Sequence, residues 1–434
     1  MEKISRRVFG AMAAGAVLLP DATQATPAGP VRRLGPSRRA KDVEHAIVYR
    51  RENEFASHPY VRGFWETAAG HLICNFSVST VDYGGDPNLL AHISLVQNAG
   101  GRRAVTVRSE DRGRTWRVTN EDKNRSSNDV MAPRPGIDGM PDGLAGIGPV
   151  DFRNKDVLVS NFNYQYMRQD PLQKEFLASL AKVTEAPDRQ VFVRVSKDAG
   201  QSWSRSAMLP LDGLYSLAAV ESASVRPDGC CLLFLNGVTR QGQASRPLIY
   251  RSMDDGTSFR FLSWMTPRDD PMYGGVNQMY PRGLVLPSGR ILGVLRVDRD
   301  WDGDMWTMLY KSDDGARTWQ FLSRVTDFGA PSAPLLLKDG RLVMIYGSRL
   351  NPPGIRAVVS EDQGLTWSPE IVVRDDGGSW DVGYPRAWEA SPGRIGVVYY
   401  YNTKDDPVQV KTTARPPWGA GGVRFIARSF FSLD

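Results

Sequence analysis

Short apolar runs, each introduced by a tight turn, recur along the whole chain. Runs of about four to eight apolar residues bounded by glycine turns are typical of buried β-strands. The six copies open at Gly70, Asn154, Asp228, Ser288, Asp339 and Pro392. The pattern therefore predicts six similar units of strand, turn and strand.

An octapeptide follows most of these units and occurs five times. Its pattern is Ser-x-Asp-x-Gly-x-Ser/Thr-aromatic, and Ala316 replaces the glycine in the fourth copy. The aspartate can accept backbone N–H groups within a turn, the glycine permits positive φ, and the aromatic side chain can anchor a hairpin in the core. The copies begin at Ser109, Ser196, Ser252, Ser312 and Ser360. We predict that each is a structural hairpin between outer strands, away from any functional site.

Units of about 50–60 residues with four strands each are typical of propeller blades. The sequence therefore predicts an all-β fold, a six-bladed β-propeller with an octapeptide hairpin in most blades. The segment from His45 to Arg51 is expected to add an outer strand that helps to close the ring. The predicted blades cover residues 58–120, 150–205, 215–263, 276–324, 330–372 and 383–434.

Two insertions and the N-terminus depart from this repeat. Residues 121–149 are rich in Gly and Pro and predict a loop, and Asp170 to Ala186 predict a short surface helix. Arg6 and Arg7 precede an apolar stretch and a small-residue exit, which is the pattern of twin-arginine export signals. We therefore expect a periplasmic or secreted protein that is free of the membrane after cleavage. The predicted boundaries are a signal peptide at 1–25, a linker at 26–43 and the propeller at 44–434.

Composition and charge limit the kinds of ligand, metal site and catalytic group that the chain can be expected to have. The net charge of +6, from 54 basic and 48 acidic residues, favours anionic ligands only mildly and indicates no nucleic-acid partner. The four histidines all lie between His45 and His92, so neither a His-rich metal site nor a late catalytic histidine is expected. The acidic run from Asp298 to Asp304 lacks the glutamate that completes a calcium loop. We predict a monomer without metal or cofactor.

In a propeller, the start of each first strand and the end of each second strand open onto the same face. Arginines, acids and a tyrosine occupy these places in the sequence. Such a set is expected in a pocket for a sugar that carries a carboxylate. The candidates are Arg62, Asp82, Asp86, Glu221, Arg282, Arg296, Arg349 and Tyr384.

The octapeptides, with Glu221 and Tyr384 at strand starts, make residues 45–434 resemble the sialidase (neuraminidase) superfamily, in which such octapeptides are called Asp-boxes. The segment from Gly383 to Pro385 is similar to the strand that carries the family's nucleophile. The resemblance implies a retaining exo-glycosidase with a tyrosine nucleophile, a glutamate that activates it, an aspartate acid/base and three arginines that clamp the substrate carboxylate. A neutral tyrosine suits this substrate because an anionic nucleophile would meet like charge.

The resemblance implies a role for particular residues. Tyr384 matches the nucleophile and Glu221 matches the carboxylate that activates it. Asp82 and Asp86 both match the acid/base, because both precede the first octapeptide. Arg62 matches the first arginine of the clamp, although the usual Arg-Ile-Pro is absent around it.

The other two clamp arginines are less clearly matched. Asn236 stands where the family has its second arginine, so either Arg246 or Arg282 substitutes for it or the substrate is another acidic sugar. Arg349 or Arg356 matches the third. The expected partner is therefore a carbohydrate with a carboxylate, sialic acid or a related sugar.

Two other functions stay open. One is a propeller lyase or glycosidase that acts on uronate-containing polysaccharide, and the other is a non-catalytic carbohydrate-binding propeller. Tyr384 also has a structural alternative, because its Tyr-Pro-Arg triplet occurs again from Tyr280 to Arg282. Contact between Tyr384 and Glu221, with three arginines pointing at one spot, would favour the sialidase-type enzyme.

Overall fold

The computed structural model contains twenty-five β-strands within the residues that it describes. The described residues are 35–59, 63–85, 103–121, 144, 147–165, 189–204, 206–267, 276–298, 305–329, 331–411 and 420–433. No helix among them is long and apolar enough to cross a membrane. The predicted helix from Asp170 to Ala186 and the signal peptide lie outside the described residues.

The strands form six sheets, which confirms the predicted six-bladed propeller. Blade 1 contains β3 (Glu54–Ser57), β4 (Phe64–Glu66), β5 (Leu72–Thr80), β6 (Arg103–Ser109) and β7 (Arg117–Glu121). Blade 2 contains β8 (Leu158–Gln165), β9 (Arg189–Ser196) and β10 (Ala207–Met208). Blade 3 contains β11 (Ser216–Val225), β12 (Cys231–Val238), β13 (Arg246–Met253) and β14 (Ser258–Trp264).

Blades 4 to 6 continue the same order from the inner to the outer strand. Blade 4 contains β15 (Asn277–Val285), β16 (Ile291–Asp298), β17 (Met305–Ser312) and β18 (Gln320–Thr326). Blade 5 contains β19 (Ala333–Leu336), β20 (Leu342–Ser348), β21 (Gly354–Ser360) and β22 (Ile371–Arg374). Blade 6 contains β23 (Gly383–Ser391), β24 (Arg394–Tyr401) and β25 (Phe425–Ser432).

The N-terminal segment closes the ring. Strand β2 (Lys41–Tyr49) pairs antiparallel with β25 and completes blade 6, which confirms the predicted closing strand. Strand β1 (Arg38–Arg39) pairs in parallel with β22 of blade 5. The propeller therefore begins at Arg38, inside the segment predicted to be a linker. Polar composition suggested a linker there, but the free edges of two blades supply backbone partners that the sequence pattern does not reveal.

The octapeptide hairpins lie between the last two strands of blades 1 to 5, as predicted. In the last copy, Asp362 accepts hydrogen bonds from the Thr366 backbone N–H at 2.8 Å and from Thr366 Oγ1 at 2.6 Å. Ser360 Oγ donates to the same carboxylate at 2.7 Å. Gly364 has a φ of 92°, and Ala316 adopts 72° at the equivalent position. The aspartate thus stabilises the turn through hydrogen bonds to groups within the same octapeptide.

The hairpins also join neighbouring blades. Trp319 Nε1 donates to Ser263 Oγ of blade 3 at 3.2 Å, and Ser263 Oγ donates to the Ala316 carbonyl at 2.6 Å. Trp367 Nε1 repeats the contact with Ser323 Oγ of blade 4 at 3.0 Å. Buried apolar clusters fill the spaces between successive blades from blade 2 to blade 6, and another joins blade 6 to blade 1. The ring is therefore held together at the rim and in the core.

Candidate active site

The inner strands of blades 3, 4 and 6 each carry a bulge. The bulges interrupt strand pairing between Ala219 and Ala223, between Met279 and Arg282, and between Gly383 and Arg386. Glu221, Tyr280 and Tyr384 lie inside them. In blade 1, residues 58–63 separate β3 from β4, which share the partner strand β5. Bulges redirect side chains and are common beside active sites.

Tyr384 lies at the centre of an aromatic cluster that these interruptions bring together. Its ring centroid is 5.0 Å from that of His58, 5.7 Å from that of Tyr280 and 5.7 Å from that of Tyr400. His58, Tyr280 and Tyr384 all have positive φ, of 56°, 57° and 50°. Such backbone costs about 1–3 kcal/mol per residue and persists where the surroundings enforce it. Three strained residues in contact therefore mark a candidate functional site.

Arg349 lies beside Tyr384 and Trp380. It follows β20, and its guanidinium carbon lies 6.0 Å from the Tyr384 ring centroid and 4.4 Å from that of Trp380. The side chain is half-buried, and its Nη1 approaches Met305 Sδ at 3.9 Å. A guanidinium next to an aromatic ring is attracted to the ring and keeps N–H donors that can bind an anionic group. Arg349 can therefore offer these donors to an anionic group bound above Tyr384.

A tyrosine–carboxylate pair lies beside Tyr384. Tyr400 donates a hydrogen bond of 2.5 Å to Asp381 Oδ1, and both side chains are buried. Arg424 Nε lies 3.8 Å from the second carboxylate oxygen. Burial, and then the charge of Asp381, raise the pKa of Tyr400 well above its usual range. Tyr400 therefore stays protonated and holds Asp381 in place.

Three arginines that the sequence predicted to bind substrate have other contacts. Arg282 is 2% exposed, and its Nη1 donates to the Pro385 carbonyl at 2.7 Å. Arg296 is 1% exposed and stacks on Tyr280 at 4.5 Å. Arg356 donates to the carbonyls of Arg374, at 2.5 Å, and Pro352, at 3.2 Å. Arg282 and Arg356 thus bind backbone carbonyls, whereas Arg296 stacks on a member of the aromatic cluster, and the role of all three in the clamp stays a prediction.

Asn236, at the position where the family has its second arginine, makes two hydrogen bonds to the backbone of blade 4. Asn236 Nδ2 donates to the Gln278 carbonyl at 2.6 Å, and Asn236 Oδ1 accepts from the Tyr280 N–H at 3.0 Å. Arg246, a predicted substitute, donates to the Thr266 carbonyl and stacks on Trp264 at 4.3 Å. The side-chain amide of Asn236 therefore fixes the backbone before Tyr280. These two contacts of Arg246 lie within blade 3.

The remaining candidates are only partly described. The backbone of Glu221 lies in the bulge of β11, next to Val220, which packs against the apolar cluster that contains Tyr384. The Glu221 side chain, Arg62 and Asp86 lie outside what the structure describes. Asp82 is exposed in the loop after β5, where its Oδ1 accepts the Gly84 N–H at 2.9 Å. The contact between Tyr384 and Glu221 therefore stays a prediction.

The sequence did not single out four residues of this cluster. His58, Trp380, Asp381 and Tyr400 carry no motif, and Tyr280 appeared only as a duplicate of the Tyr384 triplet. One signal was available: Asp381 precedes Tyr384 by three positions in an apolar context, where a carboxylate needs a buried partner. Within the described residues, no group of three His, Cys, Asp or Glu side chains could hold a metal ion.

A family model for a BNR repeat-like domain matches residues 176–397 of this chain. Among curated proteins, none matches the sequence.

Solved structures share the fold. A Dyadobacter fermentans protein of unknown function is 21% identical with a TM-score of 0.63, over 90% of this chain and 99% of that chain. A Hadza microbial sialidase is 15% identical with a TM-score of 0.54, over 87% of this chain and 66% of that chain. The Trypanosoma rangeli sialidase in complex with sialic acid is 14% identical with a TM-score of 0.54, over 91% of this chain and 59% of that chain. The chain thus spans less than two thirds of either sialidase, and these identities show the fold alone.

Proposed function

The chain belongs to the family of BNR repeat-like domains, and on that premise we propose that it is a retaining glycoside hydrolase acting on a terminal sugar that carries a carboxylate. The observation that supports this most strongly is the position of Tyr384. It is a strained, buried tyrosine in an inner-strand bulge, with the guanidinium of Arg349 6.0 Å from its ring. A phenol beside an arginine fork matches a substrate whose anomeric carbon bears a carboxylate.

The proposed reaction has two steps. In the first, Tyr384 Oη bonds to the anomeric carbon while Glu221 takes the phenolic proton, and the aglycone oxygen leaves with a proton from Asp82 or Asp86. In the second, the same aspartate deprotonates a water molecule that attacks the anomeric carbon. The bond to Tyr384 then breaks, and Glu221 returns the proton to the phenolate. Arg349 and Arg62 are proposed to hold the sugar carboxylate throughout.

The proposed setting follows from the N-terminus. A twin-arginine signal would export the folded protein, which would act as a monomer on glycoconjugates outside the cytoplasm. Sialic acid and related acidic sugars are the proposed substrates, and no cofactor or metal is needed for the two steps above.

The test is a substrate panel. Purified protein is incubated with a fluorogenic sialoside, its methyl ester and a set of uronate oligosaccharides. We expect hydrolysis of a free acid and little hydrolysis of its methyl ester, because the ester cannot form the charge-assisted bonds to arginine. Equal rates for the acid and the ester would exclude a carboxylate-reading pocket and with it the proposed function.

One observation favours a second candidate, a lyase for uronate-containing polysaccharide. His58 packs edge-on against Tyr384 with a 5.0 Å centroid distance, and Ser57 Oγ holds His58 Nδ1 at 2.8 Å. A histidine and a tyrosine could remove the proton next to a uronate carboxylate and protonate the departing sugar oxygen. An unsaturated product that absorbs ultraviolet light would identify this reaction in the same panel.

A further inference from the structure

Arg282 spans from the inner strand of blade 4 to the inner strand of blade 6. Its Nη1 donates to the carbonyl of Pro385, the residue that follows Tyr384, at 2.7 Å. Pro385 lies in the bulge, where regular pairing between β23 and β24 is interrupted. A buried carbonyl without a ladder partner needs another donor, and a charged donor makes the stronger bond. Arg282 supplies that donor from a different blade.

The bond fixes the backbone next to a strained residue. Tyr384 has a φ of 50°, a conformation that a tyrosine keeps only when neighbouring groups enforce it. A carbonyl held one residue further along limits rotation about the bonds that set the direction of the Tyr384 side chain. The orientation of this side chain therefore depends on Arg282.

Asn236 anchors the other end of this connection. Through its two bonds to Gln278 and Tyr280, it ties the strand that carries Arg282 to β12 of blade 3. Asn236 is also paired with Ala218, close to the bulge that contains Glu221. Through blade 4, the side chains of Asn236 and Arg282 thus connect blade 3, where Glu221 lies, to blade 6, where Tyr384 lies.

We infer that Asn236 and Arg282 form a positioning link, in which Arg282 sets the orientation of Tyr384 without contacting substrate. This inference rests on the proposed role of Tyr384. It also explains the residue types: an amide can both donate and accept at position 236, which an arginine cannot do.

The kinetic test compares three variants of the purified protein. Arg282→Met removes the donor while keeping a long side chain, and we expect kcat to fall about tenfold to a hundredfold with KM changed less than about threefold. Arg282→Lys retains a cationic donor and should recover part of kcat. The control is Arg226→Met, because Arg226 also donates to a backbone carbonyl of another blade, that of Gly315 at 3.1 Å, but does so at an octapeptide hairpin. An unchanged kcat in Arg282→Met would overturn the inference.

A second readout does not need turnover. The protein is labelled with fluorotyrosine, and the Tyr384 signal in the fluorine NMR spectrum is assigned from its loss in Tyr384→Phe. We expect this signal to shift or split in Arg282→Met, to move less in Arg282→Lys and to stay fixed in Arg226→Met. An unmoved Tyr384 signal in both Arg282 variants would contradict the link. If the wild type cleaves no sugar in the panel, the proposed function fails, and the NMR result still decides the link.

Discussion

The octapeptide hairpins and the inner-strand bulges are built in different ways. In the hairpin at Ser360, the carboxylate of Asp362 is bound by groups at most four residues away. The surroundings of Tyr384 come from blades 1, 4, 5 and 6, with His58, Tyr280 and Arg349 as the contributions from outside its own blade. The bonds of a hairpin carboxylate are therefore local, whereas the contacts around Tyr384 form only once the ring has closed.

This difference predicts that stability and turnover can be changed separately. A substitution in a hairpin removes bonds that hold the rim and leaves the inner strands unaltered. A substitution in a bulge changes groups that could touch substrate, while the blades keep their strand pairing. Each prediction below tests that separation.

The largest effect is expected at Tyr384. Tyr384→Phe removes only the oxygen proposed as the nucleophile and should lower kcat by at least about a thousandfold without changing the melting temperature. The matched control is Tyr280→Phe, which alters the same triplet in blade 4 at a φ of 57° and should cost less than about tenfold. Fluorogenic assays of both variants measure the two losses. Equal losses would mean that both triplets are structural.

A smaller effect is expected at Arg349, the arginine beside Tyr384. Arg349→Met should lower kcat/KM for the free acid by about tenfold to a hundredfold, because one charge-assisted contact is lost. The methyl ester should be affected much less. Arg341→Met is the control, since Arg341 lies at the opposite end of β20 and pairs with Asp339 at 2.8 Å. The same loss for acid and ester would separate Arg349 from carboxylate binding.

The hairpins should show the reverse behaviour. Asp362→Ala removes three hydrogen-bond contacts from one turn and should lower the free energy of unfolding by about 1–2 kcal/mol. Its kcat should stay within about twofold of the wild type. Chemical denaturation measures the first quantity, with the exposed neighbour Glu361→Ala as control. A large loss of kcat at unchanged stability would contradict a purely structural hairpin.

The smallest effect concerns pH. Partial burial raises the pKa of Asp111 and Asp314, but hydrogen bonds from the Thr and Ser of each hairpin outweigh it and lower both values to about 2. Because the folded-state pKa is below the unfolded one, these groups stabilise the fold above about pH 4 and lose that contribution as the pH falls toward 2. In an Asp111→Asn/Asp314→Asn variant, the melting temperature should change less with pH between these two values. If the melting temperatures of the variant and the wild type changed equally with pH, the ionised aspartates would not stabilise the hairpins.

The sequence predicted most of the fold because its strongest signals are local. Each octapeptide contains its own donors and acceptors, so its five copies identified the hairpins, and the six turn-and-strand runs identified the number of blades. The short strand β1 was not predicted, because two residues that pair with a distant blade leave no pattern.

The candidate site was predicted only in part, for the same physical reason. Tyr384 and Arg349 were found because they lie at strand ends that open onto one face. The bond from Arg282 to Pro385 was not predicted, because it joins residues 103 positions apart that only the closed ring brings together. His58 depends on such contacts as well, and no spacing in the sequence shows it. Asp381 had one signal, its place in an apolar context three positions before Tyr384.

The most direct test of the account is to trap the covalent intermediate. A fluorinated sialic acid with a fluoride leaving group slows both chemical steps and lets the glycosyl-enzyme accumulate. The account predicts that mass spectrometry finds the added sugar on the peptide that contains Tyr384, and that Tyr384→Phe acquires no label. A sugar attached to any other residue, or turnover of the reagent without labelling of Tyr384, would contradict it.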